Sequence, residues 1–163
     1  MKTLIRMTVL LAFLTAQPAL AAAKPDDADA LRGVEQGKVL FDINMTDANK
    51  MTLYLAVIRE TVDDLRRQNV EPDVILAFRG QSVRLISKDR EQMELTDYEH
   101  LDRIAEQLAD LHEQGVRMEA CSVATRLFGV DNGALLEGVK PVGNTFVSLI
   151  GYQAQGYANI PIY

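Results

Sequence analysis

Cys121 is the only thiol in 163 residues, and it lies in the stretch MEACSVATRLFG, where an apolar strand-like run gives way to a helical one. A thiol at such a junction meets backbone N–H groups without intrahelical partners and the positive end of the helix dipole, and both favour thiolate. Arg79 closes a second strand-like run, DVILAF, and if the two strands are neighbours its charge would lower the Cys121 pKa further. The opposite reading starts from the same residue type, because free cysteines are among the most buried side chains and many are inert. Residue types leave both open: a nucleophile, or a packed apolar group.

Other polar groups fall beside these two. The strand-like runs end at Asn44 to Asp47, Arg79 to Ser82, Cys121 to Ser122 and Gly143 to Thr145. In α/β sheets, ligands bind outside the carboxyl ends of the strands. The candidate site is therefore Cys121 as the reactive group, with Arg79, Gly80, Ser122, Asn44, Asn144 and Thr145 as the binding set around it. Gly80 and Gly143 would admit a small anion to backbone donors, although lone glycines also serve as plain turns.

The remaining candidates are weaker. His100 and His112 are twelve residues apart on one helix, more than three turns, so they cannot share a metal. Asp63, Asp64 and the acids from Glu106 to Asp110 fit solvated helix faces. Asn44-Met45-Thr46 matches a glycosylation sequon but also suits a helix cap. No Walker-type, dinucleotide or zinc-protease pattern occurs, and one cysteine provides no Cys-X-X-Cys pair, no thiolate zinc cluster and no internal disulfide. Neither a metal nor a cofactor is expected.

The elements that must position Cys121 follow from periodicity. Strands are predicted at Lys38 to Asn44, Asp73 to Phe78, Val116 to Ala120, Lys140 to Val142 and in the final YANIPIY. Between them, Met51, Tyr54, Leu55, Ile58, Val62 and Leu65 mark a helix capped by Thr46, Asp47 or Asn49 and ending near Asn69. A short helix is predicted around Val83 to Ser87. Thr96 and Glu99 have capping-box spacing before a helix carrying Leu101, Ile104, Ala105, Leu108 and Leu111 and closed by Gly115. CSVATRLFG opens a short helix ended by Gly129, a turn follows at Asp131 to Gly133, and Thr145 to Gly156 is the last helix. Strands alternating with helices predict an α/β domain with a mostly parallel five-stranded sheet, because parallel neighbours need a crossover.

One strand is odd. Arg117 and Glu119 alternate with Val116 and Met118, so an interior strand carries a charged face. Either this face is incompletely covered and meets another subunit, where the two charges would pair, or it is ordinary core packing. Val147, Leu149, Ile150, Tyr152 and the tail Ile160 to Tyr163 would suit the same interface.

The first residues, MKTLIRMTVLLAFLTAQPALA, combine Lys2 and Arg6, an apolar run and a small-residue cluster, the pattern of a secretory signal peptide spanning residues 1–21. Cleavage would remove two cations and no acid, taking the net charge from −6 to −8. The product would be periplasmic or secreted in a bacterium, with no membrane segment left. Residues 22–37 read as a flexible polar leader and 38–163 as the domain. Its acidity makes nucleic acid an unsuitable partner.

The segments GVRMEACSVATRLFGV, LLEGVKPVGNTFVSLI and YQAQGYANI, in that order, resemble the DsrE/DsrF-like family of small sulfur-relay proteins over roughly Gly37 to Tyr163. The resemblance implies a three-layer α/β/α domain that forms homo-oligomers or complexes with similar subunits. It also implies that Cys121, at the position after the third strand, carries sulfur as a persulfide between a sulfane-sulfur donor and an acceptor thiol. Two departures stand out. Arg79-Gly80 replaces a His-Gly pair of many relatives, exchanging an acid/base group for a fixed charge, and the export signal argues against delivery to a cytoplasmic acceptor such as tRNA. The competing reading is a non-catalytic small-ligand module or scaffold in which Cys121 only lines the pocket, or an oligomer with an inert thiol.

Overall fold

The computed structural model describes residues 24–163; the signal-peptide reading of residues 1–21 lies outside them. Five strands, β1 (Gln36–Ile43), β2 (Glu71–Phe78), β3 (Arg117–Cys121), β4 (Val139–Val142) and β5 (Ala158–Ile162), pair in the order β4-β3-β2-β1-β5. Every pairing is parallel. The helices are α1 (Ala48–Arg67), α2 (Ser82–Leu85), α3 (Tyr98–Glu113), α4 (Ser122–Phe128) and α5 (Thr145–Ala154), giving the predicted α/β/α layering.

Strand alternation decides which layer each side chain enters. Val39, Phe41 and Ile43 of β1, Val74, Leu76 and Phe78 of β2, and Met118 and Ala120 of β3 form one core with Met51, Leu55, Ile58 and Val62 of α1 and Leu101, Ile104, Leu108 and Leu111 of α3. Phe78, Leu55 and Ile104 are among its fully buried members, and truncating such a group to alanine costs about 2–5 kcal/mol. The opposite face is thinner. There Leu40, Ile75 and Ala77 pack against Leu149 and Tyr152 of α5 and Tyr157.

Side-chain capping sets the start of two of the five helices, α1 and α5. Asp47 precedes α1 in extended geometry and accepts from the Lys50 N–H at 2.9 Å. The predicted Thr96–Glu99 capping box does not form. A 3₁₀ turn over Leu95–Asp97 leads into α3, so Asp97 already has helical angles and makes no side-chain cap. A capping side chain needs extended backbone at that position, and the turn removes it. The polar segment before β1 lies along α1: Lys24 pairs with Glu60 at 2.5 Å and Asp64 at 2.6 Å, and the Asp27 N–H donates to Gln68 Oε1 at 2.5 Å.

The charged residues of β3 have partners within the chain, although one buried oxygen of Glu119, Oε2, is left without a hydrogen bond. Arg117 donates to Asp73 and to the Tyr157 hydroxyl, each at 2.6 Å, while Glu119 accepts from the Tyr152 hydroxyl at 2.6 Å. Parallel register sets Arg117 opposite Ile75, two residues from Asp73 on the same face, so the neighbouring strand supplies the counter-charge. Two tyrosines from the end of the chain complete the network, their ring centroids 5.2 Å apart.

Candidate functional site

Register brings the two leading candidates together. Phe78 pairs with Ala120, so the next residues, Arg79 and Cys121, leave β2 and β3 side by side. Cys121 is the residue before α4, with extended angles of φ −70° and ψ 112°. Its sulfur accepts from the Thr145 N–H, the first residue of α5, at 3.5 Å. Two helix starts from distant parts of the chain therefore converge on one sulfur.

Their effect on the thiol is opposed by burial. Cys121 is only 5% exposed, and desolvation pushes its pKa up. The Thr145 hydroxyl and the N–H groups of Thr145, Ala124 and Val123 together outweigh it, and the thiol is held below its ordinary value. The hydroxyl is fully buried and has no hydrogen-bond partner of its own. An unpartnered buried donor beside a thiol is poised to take up a negative charge that develops there.

Arg79 plays a different part from the one its position suggested. Its Nε and Nη2 donate to the two carboxylate oxygens of Asp42 at 2.5 and 3.0 Å, a bidentate pair with the carboxylate side chain 7% exposed. Asp42 is the main reason the Arg79 pKa is raised. The guanidinium also lies over the rings of Phe146, at 5.6 Å, and Tyr163, at 6.0 Å. Among the described residues its hydrogen bonds go to Asp42.

The other candidates divide. Asn144 caps α5 by accepting from the Phe146 N–H at 3.0 Å, which fixes the helix start that presents Thr145. Gly80 adopts φ +59°, a left-handed conformation that favours glycine, and a Cβ there would lie 2.1 Å from Asn44 Oδ1, so any other residue would have to displace the Asn44 side chain. Asn44, Arg79, Gly80, Cys121, Asn144 and Thr145 line one cleft of about 310 Å³. Ser122 is not among them. It starts α4, whose turn carries its hydroxyl toward the following loop, where it accepts from the Asn132 amide at 3.3 Å.

The rest of the cleft was not anticipated. Val123, Ala124, Leu127, Phe128 and Phe146 form its apolar wall, with Leu127 69% and Phe146 59% exposed at the rim. Asp42 was missed as well, although an acid on an inward-alternating position of VLFDI demands a buried partner. A larger groove of about 520 Å³ flanks α5 on Val142, Gly143, Val147, Gly151, Tyr152 and Gln155, without a thiol or a charged group. Among the described residues no three His, Cys, Asp or Glu side chains cluster as metal ligands, and no helix is long and apolar enough to cross a membrane.

Comparison with known proteins adds three findings. The sequence matches the DsrE/DsrF-like family over residues 38–162. An uncharacterized protein of Aquifex aeolicus is 23% identical over 129 residues, which make up 76% of this chain and 55% of that protein, so the chain spans about half the length of that relative. Among solved structures, MTH1491 of Methanobacterium thermoautotrophicum, described as of unknown function, is 25% identical with a TM-score of 0.62. The ychN protein of E. coli is 19% identical with a TM-score of 0.57. Each aligns over 78% of this chain and its own whole length, and the second similarity shows the fold alone.

Proposed function

The chain belongs to the DsrE/DsrF-like family, and on that premise we propose that it is a sulfur-relay-type protein in which Cys121 carries sulfane sulfur as a persulfide. The observation that supports this most directly is the thiol itself: buried at the floor of an open-sided cleft, yet held below its ordinary pKa by donors from α4 and α5. A thiolate is the attacking species in sulfur exchange, and a depressed pKa raises its population near neutrality.

In the uptake step the Cys121 thiolate attacks the outer sulfur of a donor. A new S–S bond forms, the donor's S–S bond breaks, and its electron pair leaves with the inner sulfur. Delivery is the same exchange run toward an acceptor thiolate, which takes the outer sulfur and returns Cys121 as thiolate. The backbone N–H and free hydroxyl of Thr145, with the N–H groups of Val123 and Ala124, are the groups that would stabilise charge at this position. As part of the same reading, the protein works outside the cytoplasm and assembles with copies of itself, consistent with its leader-like first residues and with the exposed Val147 and Ile150 on α5.

Intact-mass spectrometry of the protein after exposure to sulfane-sulfur donors tests the proposal. One added sulfur in the wild type, absent from Cys121→Ser and lost to a thiol acceptor, is the expected result. An unmodified thiol in a folded protein would sink it and favour the ligand-binding alternative, in which Cys121→Ser retains binding at the same cleft.

A further inference from the structure

Charge is the property of the cleft that its architecture controls most closely. Among the described residues the one cation on its wall, Arg79, is held by both oxygens of a carboxylate that is itself nearly buried. What remains on the cleft is hydrocarbon from Val123, Ala124, Leu127, Phe128 and Phe146, the uncharged amides of Asn44 and Asn144, and the unpartnered Thr145 hydroxyl, 0% exposed, beside the sulfur. An anionic donor entering this space would give up hydration without meeting a free positive charge, and desolvating an unpaired charge is expensive. A hydrocarbon substituent would instead gain from covering the rim.

We propose that Asp42 sets the donor class of the site: by neutralising Arg79 it makes the Cys121 cleft select hydropersulfides, R–S–S–H, with a small uncharged and apolar R group over oxyanionic donors such as thiosulfate. This rests on the persulfide reading above and adds its substrate class. The favoured step is Cys121–S⁻ plus R–S–S–H giving Cys121–S–S–H plus R–S⁻: the Cys121–S bond forms, the donor S–S bond breaks, and the electron pair leaves on the R–S sulfur. The disfavoured step, with thiosulfate, would release sulfite in the same manner. Asp42 acts through Arg79 and is a positioning residue, without contact to the sulfur among its hydrogen bonds.

Two readouts test it. The first compares the alkylation rate of Cys121 by iodoacetamide with that by iodoacetate, a pair differing in charge, using N-acetylcysteine as reference and repeating at high salt to screen the net charge of the whole protein. The neutral-to-anionic rate ratio should exceed the reference roughly tenfold and persist in salt. Freeing Arg79 with Asp42→Asn should bring the ratio down to the reference or below. Removing both charges with Asp42→Asn and Arg79→Met together should leave it within about twofold of wild type, and this exchange, which leaves no buried charge unpaired, keeps the test open if the single variant does not fold. A wild-type ratio equal to the reference, a folded Asp42→Asn with an unchanged ratio, or a double variant with a ratio raised far above wild type would each overturn the role of Asp42.

The second readout is sulfur uptake by intact mass from benzyl hydropersulfide, generated in solution, and from thiosulfate, each scaled to its rate with N-acetylcysteine. Preferential uptake from the apolar hydropersulfide is expected. Equal scaled rates would overturn this inference and leave the relay reading standing, whereas sulfur taken up from neither donor would overturn both.

Discussion

Replacing Thr145 by valine isolates the hydroxyl from everything else that acts on Cys121. Valine keeps the shape of the side chain and the backbone N–H that donates to the sulfur at 3.5 Å, and removes only an oxygen that is buried without a partner. In the thiol form that oxygen bonds to nothing, so its loss should leave stability unchanged or raise it by up to about 1 kcal/mol. In the thiolate form it is a donor to charge. Hydrogen bonds to charged groups contribute about 1.5–3 kcal/mol, and sulfur, a weak acceptor, belongs at the lower end, which corresponds to roughly a tenfold loss of thiolate at a pH below the transition. The assay is the pH dependence of iodoacetamide alkylation, followed together with urea unfolding. The acid limb of the profile should fall about tenfold and its midpoint move up, while the alkaline plateau stays where it was. An unmoved acid limb, or a plateau that collapses with the midpoint fixed, would refute the assignment of charge stabilisation to this hydroxyl.

Other predictions concern the network behind the site. Burial and the hydrogen bond to Glu119 push the Tyr152 pKa up to about 12, so its stabilising contribution is present below the unfolded value of about 10 and is lost as pH rises toward 12. The Tyr157 pKa is raised as well, so ultraviolet titration should show late tyrosine ionisation accompanied by unfolding, and its last step should vanish in Tyr152→Phe. Asp73 behaves in the opposite sense. Burial pushes its carboxyl up, but the Tyr157 hydroxyl and Arg117 pull harder and hold it below the ordinary value. Its contribution is therefore present above the unfolded carboxylate pKa of about 3.9 and disappears as pH falls through the folded value. Urea midpoints measured from pH 6 downward should converge for wild type and Asp73→Asn; parallel curves would contradict the pairing. Gly80→Ala should cost at least about 1–3 kcal/mol, since it combines a left-handed backbone with a Cβ 2.1 Å from Asn44 Oδ1, and an unchanged urea midpoint would argue against that close approach.

How far the sequence reaches is clearest at two residues of the same cleft. Cys121 was legible because a strand-to-helix transition is written in adjacent residues: the apolar alternation of VRMEA stops, and the turn residue Gly129 closes the helix that follows. The same local signals placed all five strands and the helices between them, with the stated strand ends displaced by no more than two residues. Ser122 lies off the cleft for a reason equally local in scale but invisible in pattern. One step along a helix rotates a side chain by about 100°, enough to turn its hydroxyl from the cleft to Asn132.

The alternation of strands and helices, the reactive residue type at the edge of the sheet and the acidic balance of the chain were determined by the sequence itself, because each depends on neighbours along the chain or on totals. Ownership of charge was decided only in three dimensions. Asp42 reaches Arg79 across 37 residues and Thr145 reaches Cys121 across 24, through strand register and helix placement that no local period encodes. In a low-dielectric site such pairings outweigh the intrinsic character of each group. Arg79 was readable as a cation, but only the folded sheet gives its charge to Asp42 and leaves the thiol to the donors of two helix starts.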